Sequence, residues 1–87
     1  MRNYTRPTDK YLRYAKFVDD VAQNLNEAIL RDGRPVAEIC RECKIDPHSL
    51  ERYRRGYILP QLTTFKAICD ALGWSISEMV GEKERRK

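Results

Sequence analysis

The sequence predicts an all-α domain of five helices, with a helix-turn-helix at its centre and an extended first helix. Three observations carry this. Apolar residues recur at steps of three and four along most of the chain. Proline and glycine fall between those runs rather than inside them. Residues 36–60 read as two short helices joined by a tight turn. At 87 residues the chain has room for one modest core and not for a second.

Residues 1–9 contain Arg2 and Arg6, have no apolar period and include Pro7, so they are expected to form a flexible basic arm. Thr8 or Asp9 is placed to cap the first helix. From Lys10, Tyr11, Tyr14, Val18, Val21, Leu25 and Ala28 step by three and four, joined by Ala15, Ala22 and Ile29, until Gly33 and Pro35 stop that helix. It spans about six turns. It is longer than a small bundle needs, so its N-terminal turns are expected to project and pack on a partner chain; the alternative is a break near Phe17 to Asp20.

Pro35 suits the first turn of the second helix, where its missing N–H is no loss. Val36, Ile39, Cys40 and Cys43 form that helix's inner face, Ile45 marks the turn, and Leu50 and Tyr53 resume the inner face of the third helix, about residues 47–55. Asp46 before Pro47 is the expected N-cap, and Gly56 the stop. Leu62, Phe65, Ile68, Cys69 and Leu72 line a fourth helix closed by Gly73. Ser75-Ile76-Ser77-Glu78 is a capping box for a short fifth helix, and Trp74 is placed to staple onto Met79. The helical domain thus covers residues 10–81, and residues 82–87 form a charged tail.

Charged residues make up 34% and hydrophobic residues 41%, without low-complexity tracts, which favours a packed domain over disorder. No apolar stretch approaches the roughly 20 residues of a membrane span. The polar first ten residues do not resemble a signal peptide, so a cytoplasmic location is expected. Three cysteines, an odd number, point to reduced thiols rather than a disulfide framework. Net charge is only +4, but it is unevenly spread: residues 1–16 carry five basic groups against one acidic, 17–40 two against five, and 41–57 five against three. Basic charge therefore gathers at the arm and the central helix pair, where a polyanion would meet it.

On the third helix His48, Arg52 and Arg55 stand at i, i+4 and i+7, opposite Leu50 and Tyr53, and so form one outward stripe. A stripe of this width fits a major groove, and Arg52 has the guanidinium fork that grips guanine O6 and N7 together.

With these helices placed, residues 36–73 resemble the phage repressor and Cro type of helix-turn-helix, the Xre family, with similarity extending over about residues 20–80. The pattern appears as Ile39-Cys40, Ile45-Asp46, Leu50, Tyr53, Gly56 and Pro60, followed by Ile68-Cys69-Asp70-Ala71-Leu72-Gly73 and Ile76 to Val80. Lys44 occupies the turn position where the family usually has glycine, and Val36 the place of a glutamine that braces the DNA backbone. Arg54 replaces a glutamate that pairs with an arginine of the first helix, whose matching position is about Ile29, so that pair is absent.

The resemblance implies a repressor-like DNA-binding domain. His48 and Ser49 match its base-contacting positions, beside Arg52, while Pro47 can meet a thymine methyl. Lys44, Arg55, Tyr57, Arg54 and Arg41 flank the reading helix as expected phosphate contacts, and Arg2 and Arg6 are candidates for an adjacent minor groove. For Ser49 and His48 simple helix-start chemistry is the competing role.

Cys40-x-x-Cys43 with Cys69 and His48 superficially offers zinc ligands, but the two core-stripe thiols and an outward histidine do not converge, so no metal is expected. One histidine, no phosphate loop and no paired carboxylates in an evident cleft point away from an enzyme, and no cofactor or small-molecule ligand is implied. The expected function is a sequence-specific regulator of transcription, a repressor in the first instance, binding double-stranded DNA as a homodimer. The alternative is a protein-interaction module of the same fold, such as an anti-repressor or antitoxin-like partner, with weak DNA binding or none.

Overall fold

The structure, a computed structural model, describes residues 7–81, with side chains from Leu12 onward. Five helices succeed one another: α1 (Pro7–Asp32), α2 (Val36–Cys43), α3 (Pro47–Arg54), α4 (Leu62–Leu72) and α5 (Ile76–Val80), with no strand among the described residues. Among the described residues no helix is long and apolar enough to cross a membrane.

Helix α1 is one unbroken rod of 26 residues, about 39 Å long. It starts at Pro7 rather than Lys10, because proline's fixed φ and absent N–H suit a first turn, and Thr8 and Asp9 consequently lie within the helix instead of capping it. Its C-terminal two-thirds supplies Val18, Val21, Ala22, Leu25, Ala28 and Ile29 to the interior, while residues 12–17 are exposed and run past the body of the domain.

All five helices contribute to a single core: Leu25, Ala28 and Ile29 from α1, Ile39, Cys40 and Cys43 from α2, Leu50 from α3, Ile68 and Cys69 from α4, and Met79 from α5. Each fully buried large aliphatic side chain contributes about 1.5–3 kcal/mol, so Ile39, Leu50, Ile68 and Met79 are the main apolar anchors. Leu62 departs from the expected inner face of α4; it lies in the first turn, 72% exposed, at the edge of the packed region.

Local chemistry sets the element ends. Asp46 caps α3 by accepting from Ser49 N–H at 2.8 Å, with Pro47 in the first turn. The Ser75 capping box is complete, Glu78 N–H donating to Ser75 Oγ at 3.1 Å and Ser75 N–H to Glu78 Oε1 at 2.8 Å. Pro35 sits one residue before α2, at the N-cap, and its carbonyl accepts from Glu38 and Ile39. Helices α2, α3 and α4 close in the same way, with a residue at positive φ followed by an N–H that reaches back across the last turn, as Ile45 to Cys40, Tyr57 to Arg52 and Trp74 to Cys69. In α3 and α4 that residue is glycine; in α2 it is Lys44, at φ 63°.

Polar bonds tie the layers together. Buried Asn24 donates to the carbonyls of both Met79 and Gly81 at 2.8 Å, which holds the end of α5 on α1. Arg34 bonds Asp32, Glu42 and, at 2.8 Å, the Ala71 carbonyl, and so joins the ends of α1, α2 and α4. Arg54 Nε donates to Asn26 Oδ1 at 2.8 Å while Asn26 Nδ2 donates to the Arg54 carbonyl at 3.0 Å. These two bonds tie α3 to α1.

Candidate nucleic-acid interface

The candidate surface is the outer face of α3 with the turn before it. Leu50, fully buried, and half-buried Tyr53 hold the helix down, and the Asn26–Arg54 bonds fix its last turn against α1. That anchoring decides which side chains face outward. Pro47, His48, Arg52 and Arg55 are exposed, so the stripe at i, i+4 and i+7 is accessible along the helix.

Within that stripe the side chains differ in what already holds them. The Arg52 side chain makes no hydrogen bond or ion pair with any of the described residues, so its guanidinium keeps all its donors available. Glu51 is instead engaged by Arg55, whose Nε donates at 2.7 Å, and lies 3.9 Å from Arg54. The bond from Arg55 holds the Glu51 carboxyl below its ordinary value. The neighbouring Tyr57 hydroxyl, foremost, and the Glu51 carboxylate both raise the Arg55 guanidinium above its ordinary value. Arg55 is exposed and Glu51 half-buried at the C-terminal end of α3.

Ser49 is half-buried, and its hydroxyl meets the Asp46 carboxylate at 3.2 Å while its N–H meets the same group at 2.8 Å. Those bonds, the backbone one foremost, lower the Asp46 carboxyl from its usual range. Ser49 is thus engaged in starting the helix. Arg54 is half-buried and bonded to Asn26, a brace between helices with only part of its guanidinium outward. Lys44, Arg41 and Tyr57 are exposed, Arg41 on α2, Lys44 at the turn itself and Tyr57 just after α3. Arg2 and Arg6 lie outside the described residues.

The thiols do not join this surface. Cys40, Cys43 and Cys69 are free and buried, and burial pushes each thiol upward, so they remain protonated at neutral pH. Among the described residues no three His, Cys, Asp or Glu side chains come together in a way that would hold a metal ion.

Residues that sequence periodicity did not single out are Asn24, Asn26 and Arg34. Asn24 and Asn26 are polar positions on an otherwise ordinary amphipathic helix, and the approach of distant backbone carbonyls gives each its task, while Arg34, in the turn after α1, adds the Ala71 carbonyl to its bonds with Asp32 and Glu42.

Compared with family models, curated proteins and solved structures, the chain matches none significantly.

Proposed function

We propose that this chain is a DNA-binding regulator of transcription of the repressor and Cro type, which reads the major groove through α3 and acts as a dimer. The observation that carries this is the exposed stripe of His48, Arg52 and Arg55 on a helix whose opposite side is anchored by Leu50, with Arg52 unengaged among the described residues. A short rigid helix with free guanidinium donors suits base-edge recognition. Lys44, Arg41 and Arg55 surround it with the cations that backbone phosphates attract.

The turn chemistry supports the same assignment. Lys44 takes up the left-handed conformation that glycine holds at this place in the family it resembles, so the helix pair keeps its closure despite the substitution. A single α3 covers only a few base pairs, and two copies on an inverted repeat supply the remaining specificity.

Titration of the intact chain with random duplex at two salt concentrations tests the proposal. Binding is expected to weaken by about 0.9 log units per log unit of salt for every phosphate neutralised. Absent or salt-indifferent binding would overturn it in favour of a protein-interaction module of the same fold.

A further inference from the structure

Glu51 is the one acidic residue of α3. It borders the outward stripe, three residues after His48 and four before Arg55, and so shares their side of the helix. A carboxylate in that place repels backbone phosphates, and by charge alone it would weaken the binding of a polyanion. Its surroundings give it a different effect. Arg55 Nε donates to Glu51 Oε2 at 2.7 Å, and Arg54, itself fixed by Asn26 Oδ1, stands 3.9 Å from Glu51 Oε1. Glu51 therefore links a brace anchored on α1 to an exposed guanidinium at the end of α3.

We infer that Glu51 is a positioning residue for Arg55, and that the guanidinium it holds grips one backbone phosphate together with the Tyr57 hydroxyl. This rests on the proposed DNA reading. Glu51 takes the Nε–H, and the terminal amino groups of Arg55 bond no carboxylate of the described residues. Their planar fork matches two oxygens of a phosphate. Tyr57 is exposed and brings its hydroxyl beside the same guanidinium. Position selects phosphate over base: Arg55 is the C-cap of α3, and base edges are read by the N-terminal part of such a helix.

Glu51 thus has two opposing effects on binding. Its charge repels the duplex whether or not Arg55 is present. Its bond to Arg55 orders that side chain beforehand, so less rotamer freedom is lost on binding, and this effect vanishes when the guanidinium is removed. Arg52, which no described side chain holds, receives no such ordering. Removing the Glu51 charge is therefore expected to change binding in opposite directions with and without Arg55.

The test is a double-mutant cycle on the intact chain, titrated with random duplex and with a duplex selected from a random pool. Glu51→Gln, although it removes a negative charge, is expected to weaken binding to both duplexes by about two- to tenfold. Arg55→Ala is expected to weaken binding to both and to lower the salt slope by about 1. In the Arg55→Ala background Glu51→Gln is expected to tighten binding, since only the repulsion is then removed. A merely structural role for Glu51 would instead weaken binding in both backgrounds, and that result would overturn the inference. A loss confined to the selected duplex would make Arg55 a base reader and overturn the phosphate assignment. Wild-type binding that Glu51→Gln tightens or leaves unchanged would remove this inference alone, whereas no binding of either duplex by the wild-type chain would remove the DNA reading and this inference together.

Discussion

Asn26 and Arg54 hold each other through two reciprocal hydrogen bonds, the arginine Nε donating to the amide oxygen and the amide nitrogen donating to the arginine's own carbonyl. The second bond satisfies a carbonyl in the last turn of α3, one that has no partner within the helix. Because it joins α1 to α3, it sets the orientation of the outward stripe relative to the long helix. Asn26→Ala is expected to cost about 1–2 kcal/mol through the loss of one neutral and one charge-assisted bond, measured as a lower urea midpoint with unchanged slope.

Lys44 gives a prediction in which stability and binding move in opposite directions. Its φ of 63° is one that side chains with a Cβ rarely adopt, so Lys44→Gly is expected to stabilise the fold by about 0.5–1 kcal/mol, strain relief being partly offset by the greater freedom of an unfolded glycine. If its ammonium meets a phosphate as proposed, the same variant lowers the salt slope of DNA binding by about 1. An unchanged slope would remove Lys44 from the interface.

On the proposed reading, Arg52 is the side chain on which base recognition depends. Arg52→Ala is expected to cost about 1–3 kcal/mol on a selected duplex and almost nothing on random duplex. Equal losses on both would make it a phosphate contact instead. A pool of random duplexes selected by the wild-type chain provides the specific target and reports its symmetry.

Acid should unfold the domain through a few identifiable carboxylates. Arg34's hydrogen bond lowers Asp32, the Ser49 N–H lowers Asp46, and the Arg55 bond lowers Glu51. Since each folded value lies below the unfolded one, each contributes stability that is complete above the ordinary carboxylate range, around pH 4, and is lost as pH falls through the folded value. Urea midpoints are expected to be flat near neutrality and to drop below about pH 4. Asp46→Asn, which keeps an acceptor for the cap but removes the charge, should reduce that drop; an unaltered acid limb would show that Asp46 has no part in it.

Periodicity and turn chemistry determined much of this by themselves. The apolar steps of α1, the Asp46-Pro47 start of α3 and the Ser75–Glu78 box each depend on residues within a turn or two of one another, and all three appear in the structure as the residues require. The outward position of His48, Arg52 and Arg55 follows from the burial of Leu50 for the same reason.

Tertiary structure decided what local spacing does not encode. Nothing near Asn24 or Asn26 in the chain distinguishes them, since their acceptors at Met79, Gly81 and Arg54 are brought to them only when the helices pack, and Arg34, bonded locally to Asp32, meets the Ala71 carbonyl only then. Nor does periodicity say where a regular apolar stripe ceases to be covered: Tyr14 and Val18 obey the same step, yet the bundle is only wide enough to bury the second. Helix formation depends on neighbours along the chain, whereas coverage depends on how far the other four helices reach, a distance set by their combined packing.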